Sequence, residues 1–168
     1  MAELTPMERL QPCLLDRLTD DAPDVHKESR DQRIISLRRY KHAVVRDLGL
    51  LLNSRSRPDD DPIYDFEEAS NSVLNYGIPN LCGTHILNIR TTEIEAKIRQ
   101  SISCFEPRIS QNSISVRLIC QKDSEYIRTV SFEIEGELWA QPLPDHLFIK
   151  TEVDLETGHH SLKGESNG

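Results

Sequence analysis

The sequence predicts an α+β domain in which N-terminal helices pack on an antiparallel β-sheet meander. Three observations carry that expectation. Two stretches in the first two thirds of the chain repeat apolar residues at helical spacing, and three stretches in the last third alternate apolar and polar residues with a period of two. The two kinds do not interleave, so the pattern is helices followed by strands rather than a βαβ series.

Residues 1–29 read as an N-terminal arm. Leu10, Leu14, Leu15 and Leu18 fall at helical spacing and predict a short amphipathic turn docked on the domain. Thr19 to Asp24 is a polar break containing Pro23. The clearest helix is expected over 30–53, where Ile34, Leu37, Val44, Leu48 and Leu51 mark one face and Lys41 interrupts it. Arg33, Arg38, Arg39 and Arg46 make this helix locally basic, as a solvated face that pairs in part with acids of the arm.

Residues 54–62 are a linker, with Asp59-Asp60-Asp61 as an exposed acidic loop whose spacing matches no calcium loop. A short helix is expected over 66–76 through Val73, Leu74 and Tyr76, ended by Gly77 and Pro79. Cys82 and His85 follow in a stretch of mixed signal and read as packing and loop residues, since two ligands do not make a zinc site. Thr92-x-x-Glu95 has the form of a capping box, and Ile94, Ile98 and Ile102 run from it at four-residue spacing to about Cys104.

Strands are expected over 113–121, 126–139 and 146–155. In the first, Ile114, Val116, Leu118 and Cys120 share a face; in the second, Val130, Phe132, Ile134 and Leu138; in the third, Leu147, Ile149, Thr151, Val153 and Leu155. Residues 122–125 and 156–158 are the expected hairpin turns. The predicted division is an arm over 1–29, one domain over 30–163 and a flexible tail over 164–168.

Composition narrows the function. Lys and Arg number 20 against 28 Asp and Glu, a formal net charge of −8. Affinity for nucleic acid rests largely on cationic neutralisation of phosphates, so no nucleic-acid partner is expected. No apolar run approaches the roughly 20 residues that span a bilayer. Residues 1–12 hold Glu3, Glu8, Arg9 and two prolines where a signal peptide would be apolar. Neither membrane insertion nor export is expected, and a cytoplasmic location follows. Cys13, Cys82, Cys104 and Cys120 are widely spaced and read as free thiols.

Glu106-Pro107-Arg108 stands where the isoleucine helix stops. Proline pushes the residue before it into extended geometry, and in an extended segment residues i and i+2 point the same way. Glu106 and Arg108 therefore project together, with Phe105 as the anchor into the core. Their charges either pair within the chain or present themselves to a partner.

Several ordered pieces resemble one family. They are Arg9-Leu10 and Leu14-Leu15-Asp16-Arg17-Leu18; Ser36 to Tyr40 with Asp47-Leu48 and Leu51-Leu52-Asn53; Ser72 to Pro79; and Ile102 to Ile109. Together they resemble the TssE family of type VI secretion baseplate subunits, relatives of the wedge proteins of contractile phage tails once described as lysozyme-like. The resemblance spans roughly residues 7–160; residues 80–91, with Cys82 and His85, depart from the family pattern. It implies a non-catalytic structural protein without cofactor or metal, in a baseplate docked at the inner membrane. Expected partners are the wedge subunits TssF, TssG and TssK and the sheath subunits TssB and TssC. Glu106, Pro107 and Arg108 are the implied partner-binding residues. Sheath subunits of such machines exchange strands, so an exposed sheet edge would start the first ring by strand addition.

Two other readings compete. Glu133, Glu135 and Glu137, with Glu106 or Asp145, would supply the carboxylate pair of a peptidoglycan glycosidase, although alternating acids are ordinary on a solvated strand face. The same glutamates would serve an adaptor that binds a basic partner. His159-His160 reads as a turn-flanking pair, His26, His42 and His146 as scattered, and Trp139 as strand-end packing.

Overall fold

A computed structural model describes residue 10, residues 12–19 and 23–24, and residues 35–82, 91–119, 129–140 and 144–164. Helices α1 (Leu14–Leu18), α2 (Leu37–Leu52), α3 (Glu67–Ser70) and α4 (Thr91–Phe105) precede strands β1 (Ser115–Ile119), β2 (Thr129–Leu138), β3 (Asp145–Asp154) and β4 (His160–Gly164). The strands form one antiparallel sheet in the order β1-β2-β3-β4, so the expected α+β class is what the chain adopts.

Helix α2 starts later than the periodicity predicts. Ile35 and Ser36 are not helical, and the Ser36 hydroxyl accepts the Arg39 N–H at 3.2 Å as an N-cap. Ile34 lies outside the described residues. Leu37, expected on the apolar face, is exposed; the buried side chains are Tyr40, Ala43, Val44, Leu48, Leu51 and Leu52. Lys41 interrupts the stripe for a reason. Its Nζ donates to Asp145 Oδ2 at 3.1 Å and to the His146 carbonyl at 2.8 Å, tying α2 to the start of β3.

The helix expected over 66–76 is instead α3 followed by a 3-10 turn, Val73–Asn75, with Val73 and Leu74 exposed. Gly77 is required by a close approach. It sits at φ +130°, and a Cβ there would lie 2.5 Å from the Ser54 carbonyl oxygen. In α4, Ile98 and Ile102 are buried and Ile94 partly so. Thr92 lies inside this helix, so it is not the N-cap, and Glu95 does not close a capping box. Glu95 Oε1 accepts the Leu118 N–H of β1 at 2.8 Å.

Period-two burial holds along β3 and, apart from the buried Ser131, along β2. Val130, Phe132, Ile134 and Leu138 of β2 and Leu147, Ile149, Thr151 and Val153 of β3 are buried. The open face carries Arg117, Glu133 and Lys150 in adjacent register. The turn at 156–158 is present, with the N–H groups of Glu156 and Thr157 donating to Asp154 Oδ1. It leads into β4, a strand not expected from the sequence. Cys120 and the turn at 122–125 lie outside the described residues. A contiguous core runs from Leu10 and Ile35 through α2, α4 and the sheet to Leu155.

Candidate functional site

Where α4 ends, the chain changes partners from helix to sheet. The Glu106 N–H still donates to the Ile102 carbonyl at 2.9 Å, as a last helical bond. Two residues on, the Arg108 carbonyl accepts the Trp139 N–H at 2.8 Å, and further along the Ser110 N–H donates to the Glu137 carbonyl at 2.9 Å. Ile109 thereby forms an antiparallel bridge with Leu138. Gly136 makes room for this crossing, since a Cβ there would lie 2.7 Å from Ile109 Cγ2.

Glu106 and Arg108 project to one side, as the extended reading requires, and they bind each other. Arg108 Nε donates to Glu106 Oε1 at 2.6 Å and Nη2 to Oε2 at 2.5 Å, the two-pronged guanidinium–carboxylate geometry. The Arg108 backbone N–H adds a third bond to Oε1 at 3.2 Å. Glu106 is only 3% exposed, while Pro107 faces solvent. The charge pair is thus satisfied within the chain, and what the motif shows to solvent is chiefly its proline.

The same guanidinium reaches further. Arg108 Nη2 donates to Asp47 Oδ2 of α2 at 2.7 Å. Arg46 donates to Asp47 Oδ1 at 2.8 Å and pairs with Asp16 of α1. Cys13 Sγ donates to Asp16 Oδ2 at 3.0 Å. Asp16, Arg46, Asp47, Arg108 and Glu106 therefore form one relay of alternating charge from α1 across α2 to the helix–sheet junction. Burial works against the Arg108 charge, but the hydrogen bonds it donates to Glu106 and Asp47 outweigh that and hold its proton above the ordinary arginine range. The bonds that Arg46 donates to Asp16 and then Asp47 do the same for Arg46, and the first of them lowers the Asp16 carboxyl. Asp47 carries no local sequence signal of this role. Its partner lies 61 residues away, beyond any local pattern. The expected pairing of the basic helix with arm acids is realised by Arg46 and Asp16.

A groove of about 390 Å³ runs beside the relay, lined among others by Cys13, Leu50, Tyr76, Phe105, Pro107 and Arg108. Phe105 anchors the junction as expected. It packs edge-on against Tyr76, with ring centroids 5.1 Å apart. Leu14, Leu15 and Leu18 do not dock into the core; they are exposed, and α1 is held by Asp16.

The glycosidase constellation does not assemble. Glu133, Glu135 and Glu137 lie on the open face of the sheet, opposite Lys150, Phe148 and His146. Glu106 is bonded to Arg108 on the helix side, and Asp145 is engaged by Lys41. Asp59 and Asp61 do not converge either: Asp59 pairs with Lys97, and Asp61 caps the Ile63 N–H. Trp139 is 56% exposed rather than packed. His160 is buried and stacked on Phe132, not merely a turn flank. Cys82 Sγ meets the Glu156 carbonyl at 2.9 Å; His85 lies outside the described residues. Among the described residues, no helix is long and apolar enough to cross a membrane.

Compared with known proteins, residues 38–143 match the family described as baseplate wedge protein gp25, which is more than half of the chain. No curated protein and no solved structure was found to match.

Proposed function

The chain belongs to the baseplate wedge protein gp25 family, the family to which TssE belongs, and from that premise we propose that it is a type VI secretion baseplate subunit. In this reading it is not an enzyme. It links the wedge, formed with TssF, TssG and TssK, to the first ring of TssB and TssC sheath subunits and starts sheath polymerisation. It works in the cytoplasm, in a baseplate docked at the inner membrane.

One observation carries the reading: the Glu106–Arg108–Asp47 cluster locks the helix layer to the sheet where the chain crosses between them. A subunit that templates a ring must hold its sheet at a set angle to its helices, and a buried two-pronged ion pair with a third partner does that better than apolar contact alone. The sheet offers the template. β4 is an edge strand with no described strand beyond it. Asp154 and His159 form a bonded rung, so by antiparallel alternation Leu162 turns its N–H and C=O outward. An arriving strand would add there.

The test is tagged purification from the native host, wild type against Arg108→Ala, with circular dichroism on both. Wild type should recover wedge and sheath subunits. The variant should keep its secondary structure and lose the sheath. Recovery of sheath at the wild-type level by a folded variant would show that the Arg108 cluster is not needed to recruit the sheath. Absence of any injection-machine component from the wild-type sample would sink the functional reading as a whole.

A further inference from the structure

Between α2 and α4 the chain makes a loop, residues 57–75, in which Tyr64, Ser72 and Asn75 bond back into the loop's own backbone while Phe66, Val73 and Leu74 stand outward. Asn75 closes the base. Its Oδ1 accepts the Arg57 N–H at 2.9 Å and its Nδ2 donates to the Ser70 carbonyl at 2.9 Å. Ser72 Oγ donates to the Ala69 carbonyl at 2.8 Å and accepts the Leu74 N–H at 3.3 Å. The Tyr64 hydroxyl donates to the Arg57 carbonyl at 3.0 Å. Against this internal wiring, Phe66 is 66% exposed, Val73 80% and Leu74 64%.

Exposed apolar side chains are unremarkable singly, but a group of them on one preordered loop is what a binding surface looks like. Leaving them in water while the loop's hydrogen bonds hold them in place costs stability that a partner would restore. The loop's charge defines that partner. Six carboxylates and one guanidinium lie between residues 57 and 75. Asp59 is taken by Lys97 and Asp61 by Arg57 and the Ile63 N–H. Asp60, Asp65, Glu67 and Glu68 are exposed and make no ion pair among the described residues.

We propose that this loop is a second docking surface, which receives a basic segment of another protein whose apolar residues cover Phe66, Val73 and Leu74 and whose Lys or Arg side chains face Asp65, Glu67 and Glu68. A second copy of this chain is disfavoured as occupant, because it would bring the same acids face to face. The chemistry of the occupant comes from this loop; only the expectation that it is a baseplate protein rests on the proposed function.

The experiment is site-specific photo-crosslinking from position 66 in the full chain, expressed with the other injection-machine proteins of its host, with crosslinked peptides read by mass spectrometry. The expected product is a partner segment with Lys or Arg interleaved among apolar residues. Val73→Ser with Leu74→Ser should lower recovery of that partner at least tenfold and leave the melting temperature unchanged, since both side chains stand in solvent. Glu67→Lys with Glu68→Lys should lower it as well, which a purely apolar contact would not require. A product with an acidic segment or with a second copy overturns the assignment, as do no product at all and recovery unaffected by either double variant. A basic-segment product from a protein outside the baseplate would uphold the loop and overturn the proposed function.

Discussion

Arg108 answers two carboxylates at once, and that makes it the residue whose loss matters most in the relay. Its side chain is 20% exposed and that of Glu106 only 4%. Arg108→Ala would leave a buried carboxylate facing Asp47 with no cation between them, and removal of one partner from a buried pair is far costlier than the net worth of the pair. The expected loss is about 3 kcal/mol, read from urea unfolding; Arg108→Lys, which keeps the charge but not the fork, should fall between. A loss below a few tenths would mean that water reaches Glu106. His160 supplies a pH dependence. Burial, and then the neighbouring His159, hold it down to about 4 from an ordinary 6.5, and its Nδ1 has no hydrogen-bond partner among the described residues. Above pH 6.5 both folded and unfolded chains carry it neutral. As pH falls from 6.5 to 4 the unfolded chain takes up the proton and the folded one does not, so stability declines across that window and levels below it. The decline should approach 3 kcal/mol as an order of magnitude. His160→Gln should remove that share from the pH profile of the melting temperature, and equal slopes in both proteins would refute it.

At the scale of elements, the two sheet edges are treated alike. On β1 the Leu118 N–H is taken by Glu95 of α4 at 2.8 Å. On β4 both backbone groups of His160 are taken by Asn53, the C-cap of α2, each at 3.0 Å. Each helix thus lends one side chain to block part of an edge, which limits unplanned strand pairing. Glu95→Ala should therefore promote concentration-dependent self-association, measured by light scattering, at a cost of about 1 kcal/mol in monomer stability. A variant monomeric at every concentration would show that β1 is protected by other means. Helix α1 is built the other way: its polar side holds it to α2 while its leucines face solvent, so it adds little to the core.

For the molecule as a whole, the core is one cluster that includes Leu10 from the arm. Leu10 is 6% exposed, and the Ile35 N–H donates to its carbonyl at 3.4 Å. A contiguous core predicts one cooperative transition in calorimetry. Leu10→Ala should lower that transition by about 2–3 kcal/mol rather than release the arm as a separate step. Two resolved transitions in wild type would mean that the arm is an independent unit. The excess of carboxylates over the whole chain also gives it a net negative field.

Much of this was legible in the residues alone. Ile98 and Ile102 at helical spacing and the alternation from Leu147 to Leu155 mark buried faces, because one-sided burial imposes its period on any sequence that folds this way. The joint projection of Glu106 and Arg108 follows from proline geometry, and the order of the motifs led to the family. The tertiary structure decided who meets whom. It gave Glu95 to a strand edge instead of its own helix terminus, brought Asp47 to Arg108, turned Val73 and Leu74 outward and His160 inward, and added β4 after the last alternating stretch. None of these has a period. A buried charge or an unpaired N–H must find a partner wherever the packed chain brings one, and that partner is set by three-dimensional proximity, which local spacing does not encode.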